Sequence, residues 1–235
     1  MDTNIASSNF SKEYAANKIL TKISVETIKD LVEGVPNMSY KQAKIMESFI
    51  VDHNIQNILE LGFAHGVSTL YFSAILESNL GGNIVSIDLS SAKERKPNIE
   101  ELFSHFNFKK TNIEAFCEEK SYIWALMKMI EIFNRPVFDF CYIDGAHNWY
   151  TDGFAFFLAD KLLKKDGWIV FDDINWTYTR SKSMKDTQFV RDLPYEEKYT
   201  PQIKKVFNLL VMQHPSYGNF EIRNNWGYAQ KIKII

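Results

Sequence analysis

The 235-residue chain is 46% hydrophobic and 14% aromatic, which excludes wholesale disorder and allows one large core. A net charge of −2 argues against a nucleic-acid or anionic-membrane binder, since such binders carry a basic face. Its two cysteines form neither a disulfide framework nor a zinc spacing, no 18-residue apolar run occurs, and the expectation is a cytoplasmic protein.

In chain order the first fifty residues read as helix. "SVETIKDLVEG" places Val25, Ile28, Leu31 and Val32 on one face, and Gly34 and Pro36 stop it. Ser39 with Gln42 forms a capping box ahead of a second helix carrying Ala43, Met46, Phe49 and Ile50. From "IQNILELG" onward strands and helices alternate. "GVSTLYFSAIL" has the spacing of a half-buried helix, and "GGNIVSIDLS" is a turn with a second strand. A helix near 97–106 and a weak third strand around 109–113 come next. "EEKSYIWALMKMIEIF" is helical, "VFDFCYID" is the fourth strand, and residues 149–163 form a helix ended by Lys164, Lys165 and Gly167. "GWIVFDD" is the fifth strand. After the helix "QIKKVFNLLVMQ", the runs "YGNFEIR" and "WGYAQKIKII" flank "NN" as an antiparallel edge hairpin.

Alternation of this kind predicts an α/β fold: a Rossmann-like, doubly wound, seven-stranded sheet with a C-terminal antiparallel hairpin and N-terminal helices. The expected division is a helical cap over 1–52 and a ligand-binding domain over 53–235. The polar stretch 176–201 is too long for a plain connection and reads as a lid or substrate loop.

In such sheets ligands sit beyond the carboxyl ends of the strands. The first strand ends in "LELGFAHGVST", where Gly62 and Gly66 permit a tight turn before a helix N-terminus that suits an anion. Glu60 adds an acid two residues ahead. The G-x-x-x-G spacing departs from the G-x-G-x-x-G dinucleotide fingerprint, which weakens a reading as an NAD-linked oxidoreductase. Asp88 ends the second strand, where a carboxylate accepts both hydroxyls of a ribose. Asp144, Asp172 and Asp173 end the fourth and fifth strands. Three carboxylates together repel one another, and a hard divalent cation, Mg²⁺ before Mn²⁺ or Ca²⁺, would compensate them.

"ELGFAHGVSTLYF", "IVSIDLS" and "FDFCYIDGAHNWYTDGFAFFLADKLLKKDGWIVFDD" resemble, in order, the motifs of class I S-adenosylmethionine-dependent methyltransferases. The last block resembles the small-molecule O-methyltransferase branch of macrocin and cephalosporin-pathway type, methyltransferase family 24. The resemblance implies S-adenosyl-L-methionine as cofactor. The loop with Gly62, Phe63, Ala64, Gly66 and Ser68 would cradle its amino-acid part, Ser68 facing the carboxylate and Glu60 orienting the loop. Asp88 with Leu89 would hold the ribose, and Ile113 and Glu114, after the third strand, would border the adenine. Likeness to metal-dependent catechol-type enzymes places the cation on Asp144, Asp172 and Asp173 and a catalytic base at His147. Asp144 serving the cofactor's ammonium alone, in a metal-free enzyme, is the competing reading. The implied partner is a small-molecule hydroxyl acceptor, such as a sugar or nucleotide-sugar, without nucleic acid or membrane, in a chain able to form a homodimer. A non-catalytic ligand-binding protein of the same fold is the alternative outside enzymes.

Overall fold

The computed structural model describes residues 23–234. Residues 1–22 of the expected N-terminal cap lie outside the described residues. The chain divides after Lys120 into two compact units.

In the first unit, α1 (Val25–Leu31) begins at Ser24, whose hydroxyl and that of Thr27 reciprocally cap the first turn. Val25, Ile28 and Leu31 are buried. α2 (Tyr40–Asp52) begins at the capping box of Ser39 and Gln42 and buries Ala43, Met46, Phe49 and Ile50, as the spacing predicts. β1 (Asn57–Leu61), α3 (Val67–Ser78), β2 (Gly82–Leu89), α4 (Ile99–Phe103) and β3 (Thr111–Glu118) follow. Both β1–β2 and β2–β3 pair in parallel.

Two expectations change here. α3 is buried without a break from Val67 to Leu76 rather than along one stripe, as a helix apolar on all sides must be. β3 runs to Glu118, so Ile113 and Glu114 lie inside the strand, not after it. As an outer strand it exposes part of both faces and lacks the continuous apolar run of an inner parallel strand, which is why its sequence signal is weak.

The second unit holds α5 (Tyr122–Phe133), β4 (Phe138–Ile143), α6 (Trp149–Leu162), β5 (Leu163–Phe171), α7 (Gln188–Asp192), α8 (Tyr195–Tyr199), α9 (Gln202–Val206), β6 (Tyr217–Arg223) and β7 (Trp226–Lys231). β5 starts directly after α6, so Lys164, Lys165 and Gly167 belong to the strand instead of terminating the helix. Phe138 faces Leu163 and Phe140 faces Trp168, so residues 164–167 bulge opposite Asp139. Lys164 pairs with Asp139 at 2.7 Å across the bulge. A Cβ on Gly167 would stand 2.9 Å from the Asp139 carbonyl oxygen, hence glycine.

The edge hairpin forms as expected. β7 pairs antiparallel with both β5 and β6. Asn224 (φ 53°) and Asn225 (φ 66°) take the left-handed conformation, as a two-residue type I′ turn demands. The stretch 176–201 is no bare loop: it contains a 3₁₀ turn (Tyr178–Arg180), α7 and α8, anchored by buried Tyr178 and Val190. The seven strands run in the order β3-β2-β1-β4-β5-β7-β6, the mixed, Rossmann-like sheet that the alternation predicts.

Candidate active site

The glycine loop of the first unit is built on one buried acid. Glu60 is fully buried on β1 and accepts hydrogen bonds from the hydroxyls of Ser68, of Thr69 (2.5 Å) and of Ser86 (2.6 Å). It thereby ties the start of α3 to β1 and β2. Burial pushes its carboxyl up to about 7, against the pull of the three hydroxyls. The Ser68 hydroxyl is therefore turned inward to Glu60, not outward to a ligand.

Asp88 closes the other side of the loop. Its Oδ2 accepts from the Phe63 N–H (2.8 Å) and the Ala64 N–H (2.6 Å), and its Oδ1 from the Leu89 N–H (2.6 Å). Oδ2 thus accepts twice and Oδ1 once, which leaves acceptor capacity on Oδ1 for a ribose hydroxyl. Gly62 and Gly66 both sit at φ 92°, and Ala64 at φ 49°. Phe63 is buried with Ala92 and Ile99, and Phe103 and Cys117 pack against that cluster. Of the four helices with twelve or more described residues, α3 alone starts without a capping side chain, Gly66 occupying the position. Its first N–H groups are the part of the loop suited to a cofactor carboxylate.

In the second unit the structure brings together Asp144, His147 and Asp173. One donor atom from each lies within 4.8 Å of the others, and His147 Nε2 is 3.7 Å from Asp144 Oδ1. Asp172, the third aspartate of the expected set, is not part of this group. Its Oδ2 accepts from the Tyr142 hydroxyl and its Oδ1 from the Asp173 N–H at 2.6 Å. Asp172 and Asp173 lie just beyond Phe171, the last residue of β5, and Asp173 and His147 both take a left-handed backbone, at φ 53°.

Asp144 and Asp173 offer carboxylate oxygens that suit Mg²⁺ or Mn²⁺, with the His147 imidazole beside them. Burial, and then the charge of Asp172, raise the Asp173 carboxyl to about 6, while a hydrogen bond from Asn225 opposes them. Burial holds the His147 pKa below its ordinary value, with Asp152 and Asp172 opposing, so the ring is neutral near pH 7. The Trp176 ring lies 5.1 Å from that of His147, centroid to centroid.

Three residues that sequence reasoning missed support this cluster. Asn225 donates to Asp173 Oδ1 at 2.9 Å from the hairpin turn. Tyr122 and Asp152 hold the chain on either side of His147. A buried aspartate in the first turn of α6 was the one available signal for the last pair.

Residues 59–174 match the family model described as a methyltransferase domain. No curated protein matches the chain. Among solved structures, a Podospora anserina methyltransferase bound to S-adenosylhomocysteine aligns with TM-score 0.60 and 17% identity, over 88% of this chain and 87% of that one. An O-methyltransferase from Bacillus cereus, in complex with the same molecule, aligns at 0.55 and 18%, covering 88% and 90%. The O-methyltransferase TomG from Streptomyces achromogenes, in complex with S-adenosylmethionine, aligns at 0.58 and 13%, covering 95% and 94%. Over residues 59–174 the chain is thus similar to a methyltransferase domain, and it shares the fold of these solved structures. Among the described residues no helix is long and apolar enough to cross a membrane.

Proposed function

We propose that the chain is an O-methyltransferase that uses a divalent cation and methylates a hydroxyl of a small molecule, of the sugar or secondary-metabolite kind. The observation that carries this reading is the convergence of Asp144, His147 and Asp173 within 4.8 Å. Asp144 and Asp173 would hold the cation. Its chemistry there would be that of a Lewis acid lowering the pKa of the acceptor hydroxyl. Neutral His147 accepts the hydroxyl proton at Nε2, the ring nitrogen nearer Asp144. The oxygen lone pair forms the new C–O bond as the C–S bond of the cofactor breaks, leaving S-adenosylhomocysteine. Asp88 would hold the cofactor's ribose, and the uncapped start of α3 would receive its carboxylate.

The test is transfer of labelled methyl from S-adenosylmethionine to panels of sugar and catechol hydroxyls, with and without chelator. The proposal expects O-methyl products, loss of activity on chelation with recovery on adding Mg²⁺ or Mn²⁺, and collapse in His147→Gln and Asp173→Asn. Methylation confined to nitrogen or sulfur, or turnover indifferent to chelator and to both substitutions, would overturn it.

A further inference from the structure

His147 occupies a left-handed backbone position, which is unfavourable for a residue with a Cβ, so its surroundings must hold it there. The amides immediately before and after it are the ones held. The Ala146 N–H donates to the Tyr122 hydroxyl oxygen at 3.3 Å. That hydroxyl donates in turn to Asp152 Oδ1, and Asp152 Oδ2 accepts from the Asn148 N–H at 3.1 Å. Two backbone donors flanking one residue thus converge on a single tyrosine–aspartate pair. Gly145 allows the approach, since a Cβ there would stand 2.5 Å from Tyr122 Cε1.

The pair is an expensive way to fill space. Asp152 is completely buried and Tyr122 nearly so, and a desolvated carboxylate costs more than the aliphatic or aromatic pair that would fill the same volume. What it supplies, and an apolar pair would not, is two fixed acceptors for the backbone on both sides of His147. We propose that Tyr122 and Asp152 are positioning residues for His147, locking its ring in the orientation that receives the substrate proton. This rests on the reading of His147 as proton acceptor. Neither residue reaches the reacting atoms; both act through the backbone they hold.

The test uses the full chain, uniformly ¹⁵N-labelled, and the variants Asp152→Leu, which removes both acceptor oxygens at similar volume, and Tyr122→Phe, which removes one hydroxyl while keeping the buried ring. Two measurements are made: hydrogen exchange at the Ala146 and Asn148 amides, and the ¹H–¹⁵N signals of the His147 ring. Losing one hydrogen bond of about 1 kcal/mol corresponds to roughly five- to tenfold faster exchange at the released amide. The expected result is that increase, at Ala146 in Tyr122→Phe and at Asn148 in Asp152→Leu. It comes with splitting or broadening of a ring signal that is single in the wild type, and with S-adenosylhomocysteine affinity unchanged. A single, unshifted ring signal in both variants would overturn the proposal. If His147→Gln abolishes methyl transfer while the ring signal ignores Tyr122 and Asp152, positioning fails and the proton-acceptor role stands. If the ring signal collapses but methyl transfer is indifferent to His147→Gln, the proton-acceptor role fails and the restraint stands.

Discussion

Asn225, at the tip of the C-terminal hairpin, donates from its side-chain nitrogen to Asp173 Oδ1 at 2.9 Å, across 52 residues of chain. The same side chain accepts from the Asn175 N–H at 3.1 Å, and the Asn225 backbone carbonyl accepts from the Ile174 N–H at 3.0 Å. The turn therefore does two jobs. Its left-handed backbone closes the β6–β7 hairpin, and its side chain sets the direction of a candidate cation ligand. Asn225→Gly keeps the backbone conformation and removes the side chain. It should lower Mn²⁺ affinity by about tenfold, the worth of one hydrogen bond to a charged group, with little change in Tm. Electron paramagnetic resonance titration with Mn²⁺ measures it.

Gly66 makes the second prediction. At φ 92° a Cβ is already strained, and here it would also meet Ile99 side-chain atoms at 2.7 and 2.9 Å and the Ile99 Cα at 3.0 Å. Gly66→Ala should therefore cost about 2 kcal/mol or more, read from urea unfolding, and weaken cofactor binding because the loop must shift. Ala64 already carries a Cβ at a left-handed φ of 49°, so Ala64→Gly should leave stability within about 1 kcal/mol of wild type.

Glu60 makes the third. Its carboxyl is raised by burial from an ordinary 4.5 to about 7. Between those values the folded chain holds a proton that the unfolded chain has released. The group's favourable contribution is then fully present below about pH 4.5 and is lost as pH rises to about 7. Glu60→Gln cannot titrate and keeps an acceptor for the hydroxyls of Ser68, Thr69 and Ser86. The wild-type Tm minus the variant Tm should therefore fall steadily from pH 5 to pH 7. A difference that is flat or rises across that range would mean that Glu60 is charged throughout.

What could be read from the chain was what local physics governs. The alternation of elements, the Ser39–Gln42 capping box, the Asn-Asn hairpin turn and the strand-terminal acids at 88, 144, 172 and 173 all stand where the residues place them. Errors came where the signal was not local. β3 is an outer strand with an interrupted apolar pattern, so its length was underread. Lys164, Lys165 and Gly167 look like a helix terminator but lie in a bulge of β5 that only the register with β4 reveals, with Lys164 paired to Asp139. The grouping of His147 with Asp144 and Asp173 involves left-handed backbone at residues 147 and 173 that no spacing announces. Asn225, Tyr122 and Asp152 act across 52 residues and 30 residues of sequence, a separation at which no spacing rule speaks.

The most direct test of the account is a crystal of the full chain grown with S-adenosylhomocysteine and Mn²⁺, examined by anomalous scattering at the manganese edge. The account predicts a peak at about 2.2 Å from carboxylate oxygens of Asp144 and Asp173, and ribose hydroxyls on Asp88. A peak absent from those two aspartates, or a nucleoside bound away from Asp88, would contradict it.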